Sequence, residues 1–168
     1  MPAIPNGDND ADLMRMALQE AREAGLSGEV PIGAVVALDG KTQGRGRNSP
    51  ISLNDPTGHA EILAIRDAAN KIGNYRLTGA TLVSTVEPCL MCLGAALHAR
   101  IGRIVFGAAD PKVGATDILA RLDREGALLN HRFQVTGGIL AEEASNLILE
   151  FFQNRRAGEA AGDDDVVD

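Results

Sequence analysis

Three short apolar runs set the limits on what this chain can become: "PIGAVVAL" at 31–38, "ATLVSTV" at 80–86 and "RIVFGA" at 103–108. The first reads as a buried strand, the second is strand-like, and the third reads as a strand again. Around them the periodicity is helical. Asp12 can cap a helix through about Gly25, with Leu13, Met16, Ala17, Leu18 and Ala21 as its apolar face. "DGK" turns the first run into a second strand near "TQGRGRN", and "SPISLNDPTG" follows as a loop. Ile62, Leu63, Ile65, Ala69 and Ile72 then recur at helical spacing over 59–72, and 89–99 is helical too. Further on, 116–123 predicts a helix, "RFQVT" a short strand, and 139–156 a closing amphipathic helix. Two strands joined by a turn, then strand–helix–strand units, predict an α/β fold with a mixed sheet flanked by helices.

At 168 residues the chain fits one domain, and no linker divides it. It reads as a flexible acidic extension (1–11), a folded domain (12–156) and a disordered acidic tail (157–168). The net charge of −7 comes from the two ends. Eight of the 23 carboxylates lie in 1–12 and 157–168, which carry no Lys or Arg, so the middle has 16 basic against 15 acidic residues. A near-neutral body neither requires nor forbids a polyanionic partner. No apolar run approaches a membrane span, and "MPAIPNGDND" lacks the basic start and apolar stretch of a secretory signal. Two cysteines do not make a disulfide framework, so a cytoplasmic location is expected.

Those cysteines, Cys89 and Cys92, lie in "TVEPCLMCLGAAL". Alone, two thiols three apart fit a redox pair, half of a structural zinc site, or two ligands of a catalytic metal. Three apart, they share one face of a helical first turn, and Pro88 suits its beginning. The stretch "PTGHAEIL" places His59 and Glu61 at another helix start, with Pro56, Thr57 and Gly58 before it. Helix N-termini carry partial positive charge and unpaired N–H groups, which favour thiolates and anionic oxygen. One imidazole and two thiolates suit zinc and leave a fourth position open, as catalysis requires. A carboxylate beside that position can take a proton from water and pass it to a substrate nitrogen, which assigns Glu61 as acid–base catalyst. H-x-E followed by P-C-x-x-C is the general signature of zinc nucleobase deaminases, with these same roles.

The plainer readings are weaker. A redox pair usually sits at a thioredoxin-like strand–helix junction with an aromatic neighbour, and none is present. A closed structural zinc needs a fourth ligand. His98 reads as the last residue of a helix before "ARIGR", and His131 as a loop residue. The two motifs together, in order and about thirty residues apart, are far more specific than either alone.

With these residues in hand, the chain resembles the bacterial tRNA-specific adenosine deaminases, within the cytidine-deaminase-like superfamily. The likeness runs from about 28 to 156, through "EVPIGAVV", "NDPTGHAEILAIR", "NYRLTGATL", "TVEPCLMCLGA", "ARIGRIVFGAADPKVGA", "LNHRFQVTGGILAEEA" and "FFQNRR". It implies a three-layer α/β/α fold with a five-stranded mixed sheet, usually as a homodimer. It implies hydrolysis of adenosine to inosine at the wobble position of a tRNA anticodon stem-loop. One zinc ion per subunit would be held by His59, Cys89 and Cys92, and Glu61 would protonate N1 and later the leaving ammonia. The Asn48 amide would bond the base, and Val30 and Val86 would line its pocket. Asp110 and Lys112 match positions near the family's RNA surface, and Phe151, Arg155 and Arg156 lie on the matching C-terminal helix. Their plainer readings are a turn residue for Asp110, core for Phe151 and a solvated helix end for the arginines.

The chain departs from that pattern in places. Gly58 stands where alanine usually precedes the histidine, which loosens the helix start without altering the ligand. Ala109 removes one basic position, and "TDILARLDREGALL" is more charged and more helical than the family's substrate-bordering loop. A deaminase of a free base or nucleoside, such as guanine or cytosine, would use the same zinc chemistry in a more closed pocket. A non-catalytic zinc or RNA-binding subunit would not need Glu61, and a redox protein would bind no zinc.

Overall fold

Burial on both faces of the apolar runs is what the structure shows. It is a computed structural model that describes residues 8–125 and 130–162. Helix α1 (Asp8–Leu26) leads into β1 (Gly33–Leu38) and β2 (Lys41–Arg47), and the single turn α2 (Pro50–Leu53) precedes α3 (Ala60–Ile72). Then follow β3 (Thr81–Val86), α4 (Leu90–His98), β4 (Arg103–Ala108), α5 (Thr116–Arg124), β5 (Gln134–Thr136) and α6 (Ala141–Gly162). The sheet order is β2-β1-β3-β4-β5. The first two neighbour pairs are antiparallel and the last two parallel, so the sheet changes sense at its central strand, β3.

Alternation along the strands builds two cores. Ala34, Val36, Leu82 and Ile104 point to the face covered by α3, α4 and α5, where they meet Ala60, Ala64, Leu93 and Leu119. Val35, Ala37, Val83 and Val105 point to the face covered by α1 and α6, against Met14, Leu18 and Ala144. A strand with a core on each side has no polar face to show, hence the continuous apolar runs. The expected three layers are present. The β1–β2 connection is the two-residue turn Asp39–Gly40, both at positive φ (52° and 72°), as a type I′ hairpin needs. Gly44 and Gly46 of β2 face α3, where a Cβ would collide with the carbonyl oxygens of Ala64 and Ala60.

Three boundaries differ from the sequence reading. Asp12 does not cap α1, because the helix already runs from Asp8, inside the stretch read as an extension. The cause is an ion pair that no local pattern announces. The Arg103 guanidinium donates to both Asp10 oxygens at 2.7 and 2.6 Å and to Thr136 Oγ1 at 3.2 Å, with both charged side chains buried. At the other end α6 continues past 156 to Gly162, into the stretch read as tail. Residues 1–7, 126–129 and 163–168 lie outside the described residues. The strand expected over 132–136 is shorter, as Arg132 turns out to pair with Asp123.

Candidate metal centre and active site

The strand register brings the site together. Gly33 pairs with Arg47, Ala34 with Ser84, and Val86 with Ala108. The start of β1 and the ends of β2, β3 and β4 therefore share one end of the sheet. Val30, Asn48, Val86, Asp110 and Lys112 are carried by these ends or the segments adjoining them. Helices α3 and α4 begin at the same end, with His59 and Cys89 as their N-cap residues. Both have extended backbones, and neither side chain caps its own helix. Both are free to turn toward each other.

They do so. His59 Nδ1 lies 3.7 Å from Cys89 Sγ and 3.6 Å from Cys92 Sγ, and the two sulfurs are 3.6 Å apart. With Zn–S near 2.3 Å and Zn–N near 2.0 Å, the vertices of a tetrahedral site fall about 3.5–3.8 Å from one another. The three atoms already stand at those separations. Among the described residues this is the only group of three or more His, Cys, Asp or Glu that could hold one ion, and no fourth such side chain joins it. The donor set suits zinc and leaves a vertex for solvent or substrate.

Charge at the site is uneven. The half-buried Cys89 thiol is pulled down to about 5, chiefly by its hydrogen bond with Cys92 and then by His59. Cys92 is pushed the other way by that same bond, by burial and by the facing Glu61 carboxylate. The pair thus keeps one proton that a bound dication would displace. Glu61 borders the trio, its Oε2 3.5 Å from Cys92 Sγ, and Ser84 Oγ donates to its Oε1 at 3.1 Å. It is 4% exposed, and burial raises its pKa, favouring the protonated acid that a proton carrier must be able to become.

Two carboxylates that sequence reasoning missed hold the flanking loops. Buried Glu29, just before Val30, accepts the N–H groups of Ile51 (3.3 Å) and Ser52 (2.7 Å), fixing α2 between Asn48 and His59. Glu87, just after Val86, accepts the Asp110 and Thr116 N–H groups at 3.2 Å and the Thr116 hydroxyl. Gly114 is required there, as a Cβ would strike the Glu87 carboxylate, and it forms a β-bridge with Cys89. The only signal for either residue was a lone acid beside an apolar run.

The remaining site residues fall as follows. Asn48 is buried, and its N–H donates to the Ile32 carbonyl at 2.9 Å. Val86 is buried, and Val30 is half-buried. The Asp110 carboxylate accepts the N–H groups of Lys112 (2.9 Å) and Val113 (3.2 Å), so it shapes the turn that exposes Lys112. Gly58 does not loosen the start of α3. Its carbonyl accepts from Ser49 and its N–H donates to Asp55, each at 2.9 Å, and a Cβ would crowd Asp55 and Pro50. The Asp55 carboxyl is held below its usual range, first by the Thr57 hydroxyl. His98 closes α4 and His131 lies in a loop, with Nε2 2.6 Å from the Ile101 carbonyl, so neither joins the cluster. Phe151 is half-buried and meets Phe152 edge-on at 5.4 Å. The 116–124 segment is a helix that sets Leu119 into the core. A cavity of about 320 Å³ between α5 and β5 is lined by Leu97, Leu119, His131 and Phe133 among others, and His59, Glu61, Cys89 and Cys92 are not part of its lining.

Comparison with known proteins agrees with this geometry. Residues 8–108 match the cytidine and deoxycytidylate deaminase zinc-binding region. A tRNA-specific adenosine deaminase of Haemophilus influenzae is 48% identical over 148 residues, covering 88% of this chain and 85% of that protein. One from Agrobacterium fabrum is 44% identical over 143 residues, covering 85% of this chain and 93% of that protein. A solved structure from studies of A-to-I editing by tRNA:A34 deaminases superposes with a TM-score of 0.76 at 44% identity, covering 81% of this chain and 98% of that one. The chain belongs to the zinc-binding cytidine and deoxycytidylate deaminase family, among its tRNA-specific adenosine deaminase members.

Proposed function

We propose that this protein converts adenosine to inosine at the wobble position of a tRNA, with His59, Cys89 and Cys92 holding one zinc ion and Glu61 carrying the protons. The observation behind this reading is a three-ligand cluster with no fourth ligand among the described residues and a buried carboxylate at its edge. When bound, zinc supplies the Lewis acidity that brings the pKa of water to about 7. Glu61 accepts the proton that water gives up as it adds to C6 and delivers it to N1. It then shuttles a proton to the 6-amino group, which leaves as ammonia, and the product is inosine. Its burial keeps competing solvent away from the proton path.

The Asn48 amide, held at the end of β2, hydrogen-bonds the everted base, and Val30 and Val86 wall its pocket. Asp110 and Lys112, on the turn fixed by Glu87, contact the ribose-phosphate backbone of the anticodon stem-loop. Arg155 and Arg156 on α6 add positive charge. The protein works as a homodimer in the cytoplasm. Exposed Leu90, Met91 and Val113 beside the Cys89–Gly114 bridge supply apolar surface for pairing. Among the described residues no helix is long and apolar enough to cross a membrane.

The test offers zinc-loaded protein a tRNA with adenosine at the wobble position and, in parallel, adenosine, guanine, cytosine and cytidine. Digestion and mass analysis are expected to find inosine in the tRNA alone. Ammonia released only from a free base would replace this reading with that of a free-base deaminase.

A further inference from the structure

Ser84 is fully buried on β3, and its neighbours on the same face, Leu82 and Val86, are apolar. A hydroxyl in such a place is unfavourable unless it is bonded. Thr85, next to it, points to the opposite face, where its Oγ1 accepts the Gly33 N–H at 3.1 Å. Ser84 Oγ instead donates to Glu61 Oε1 at 3.1 Å, while Glu61 Oε2 is turned toward Cys92. β3 is the central strand, and Ser84 is laddered to Ala34 on one side and Phe106 on the other.

We propose that Ser84 is a positioning residue for the deamination. Its hydroxyl occupies Glu61 Oε1 and so leaves Oε2 as the oxygen that exchanges protons with water and the base. The inference rests on Glu61 being the proton carrier but not on the identity of the substrate. Without the hydroxyl, the carboxylate has two equivalent oxygens and a freer side-chain torsion, and only part of its population faces the reacting atoms. The zinc ligands and the base pocket are untouched, so the loss appears in the chemical step and not in binding.

The experiment compares wild type, Ser84→Ala and Ser84→Thr for kcat, KM and zinc per protomer, on a tRNA with a wobble adenosine. Ser84→Ala removes one oxygen and adds no bulk. Its kcat is expected to fall on the order of 10-fold, as for one hydrogen bond to a charged group, with KM and zinc content unchanged. Ser84→Thr keeps the donor with one extra methyl and must exceed Ser84→Ala in kcat even if it melts lower. A kcat for Ser84→Ala within twofold of wild type, a Thr variant no faster than Ala, or a loss of zinc would each overturn the proposal. A wild-type protein that deaminates only a free base refutes the tRNA substrate instead, and the same kcat ratios on that base then decide the role of Ser84.

Discussion

Replacing Asp10 by alanine should cost more stability than any other change in the first turn of α1. The wild-type pair is bidentate, at 2.7 and 2.6 Å, with the Asp10 and Arg103 side chains only 6% and 4% exposed. Truncation leaves the Arg103 guanidinium buried with Thr136 as a neutral partner, beneath a helix that keeps water out. Removing one member of a buried pair typically costs about 3–5 kcal/mol, because the remaining charge is uncompensated. For a domain of this size each kcal/mol lowers Tm by roughly 2–4 °C, so the expected fall is about 6–20 °C. Thermal melts of zinc-loaded protein in low and high salt make the measurement, and the loss should hardly depend on salt. Asp12→Ala is the control. Its partner Arg15 and Asp12 itself are 60% and 74% exposed, and the change should stay within about 0.5 kcal/mol. Replacing both partners, as Asp10→Leu with Arg103→Met, should recover most of the loss. A fall of under about 3 °C for Asp10→Ala would refute the account, and the chain before Asp12 would then be a loose extension after all.

Glu61→Gln should retain zinc, measured by elemental analysis, while turnover falls about 10²–10⁴-fold, since the proposed proton carrier lies outside the ligand trio. Loss of the metal in that variant would contradict the division of roles. Cys89→Ala should lose zinc and melt lower, and a chelator that lowers the wild-type Tm should leave this variant unmoved. Gly46→Ala should destabilise by about 1–3 kcal/mol and weaken zinc retention in a competition titration, because the added carbon presses on Ala60 beside His59. Normal zinc retention there would mean that α3 shifts without disturbing its first residue.

The central strands were legible because burial on two sides writes itself into consecutive residues, as Ala34-Val35-Val36-Ala37 does with its alternate assignment to the two cores. The candidate metal ligands were legible because soft donors are rare in this chain and Cys89 and Cys92 fit a single helical turn. What stayed hidden depends on partners distant in sequence. Nothing near Asp10 announces Arg103, 93 positions away, and three early aspartates look like a solvated end. Glu29 and Glu87 bind backbone N–H groups, which every residue but proline has, so no partner pattern marks them. The glycines of β2 are intelligible only once the alanines of α3 lie against them.

That close seating of α3 on β2 has a bearing on selectivity. With backbone touching backbone there, the histidine side of the cleft has no slack with which to mould itself around a guest. On the proposed reading, reshaping during capture is then expected of the tRNA rather than of this wall. Two RNAs identical in every atom that meets the protein, yet unequal in the stiffness of their loops, would then be processed at unequal speeds.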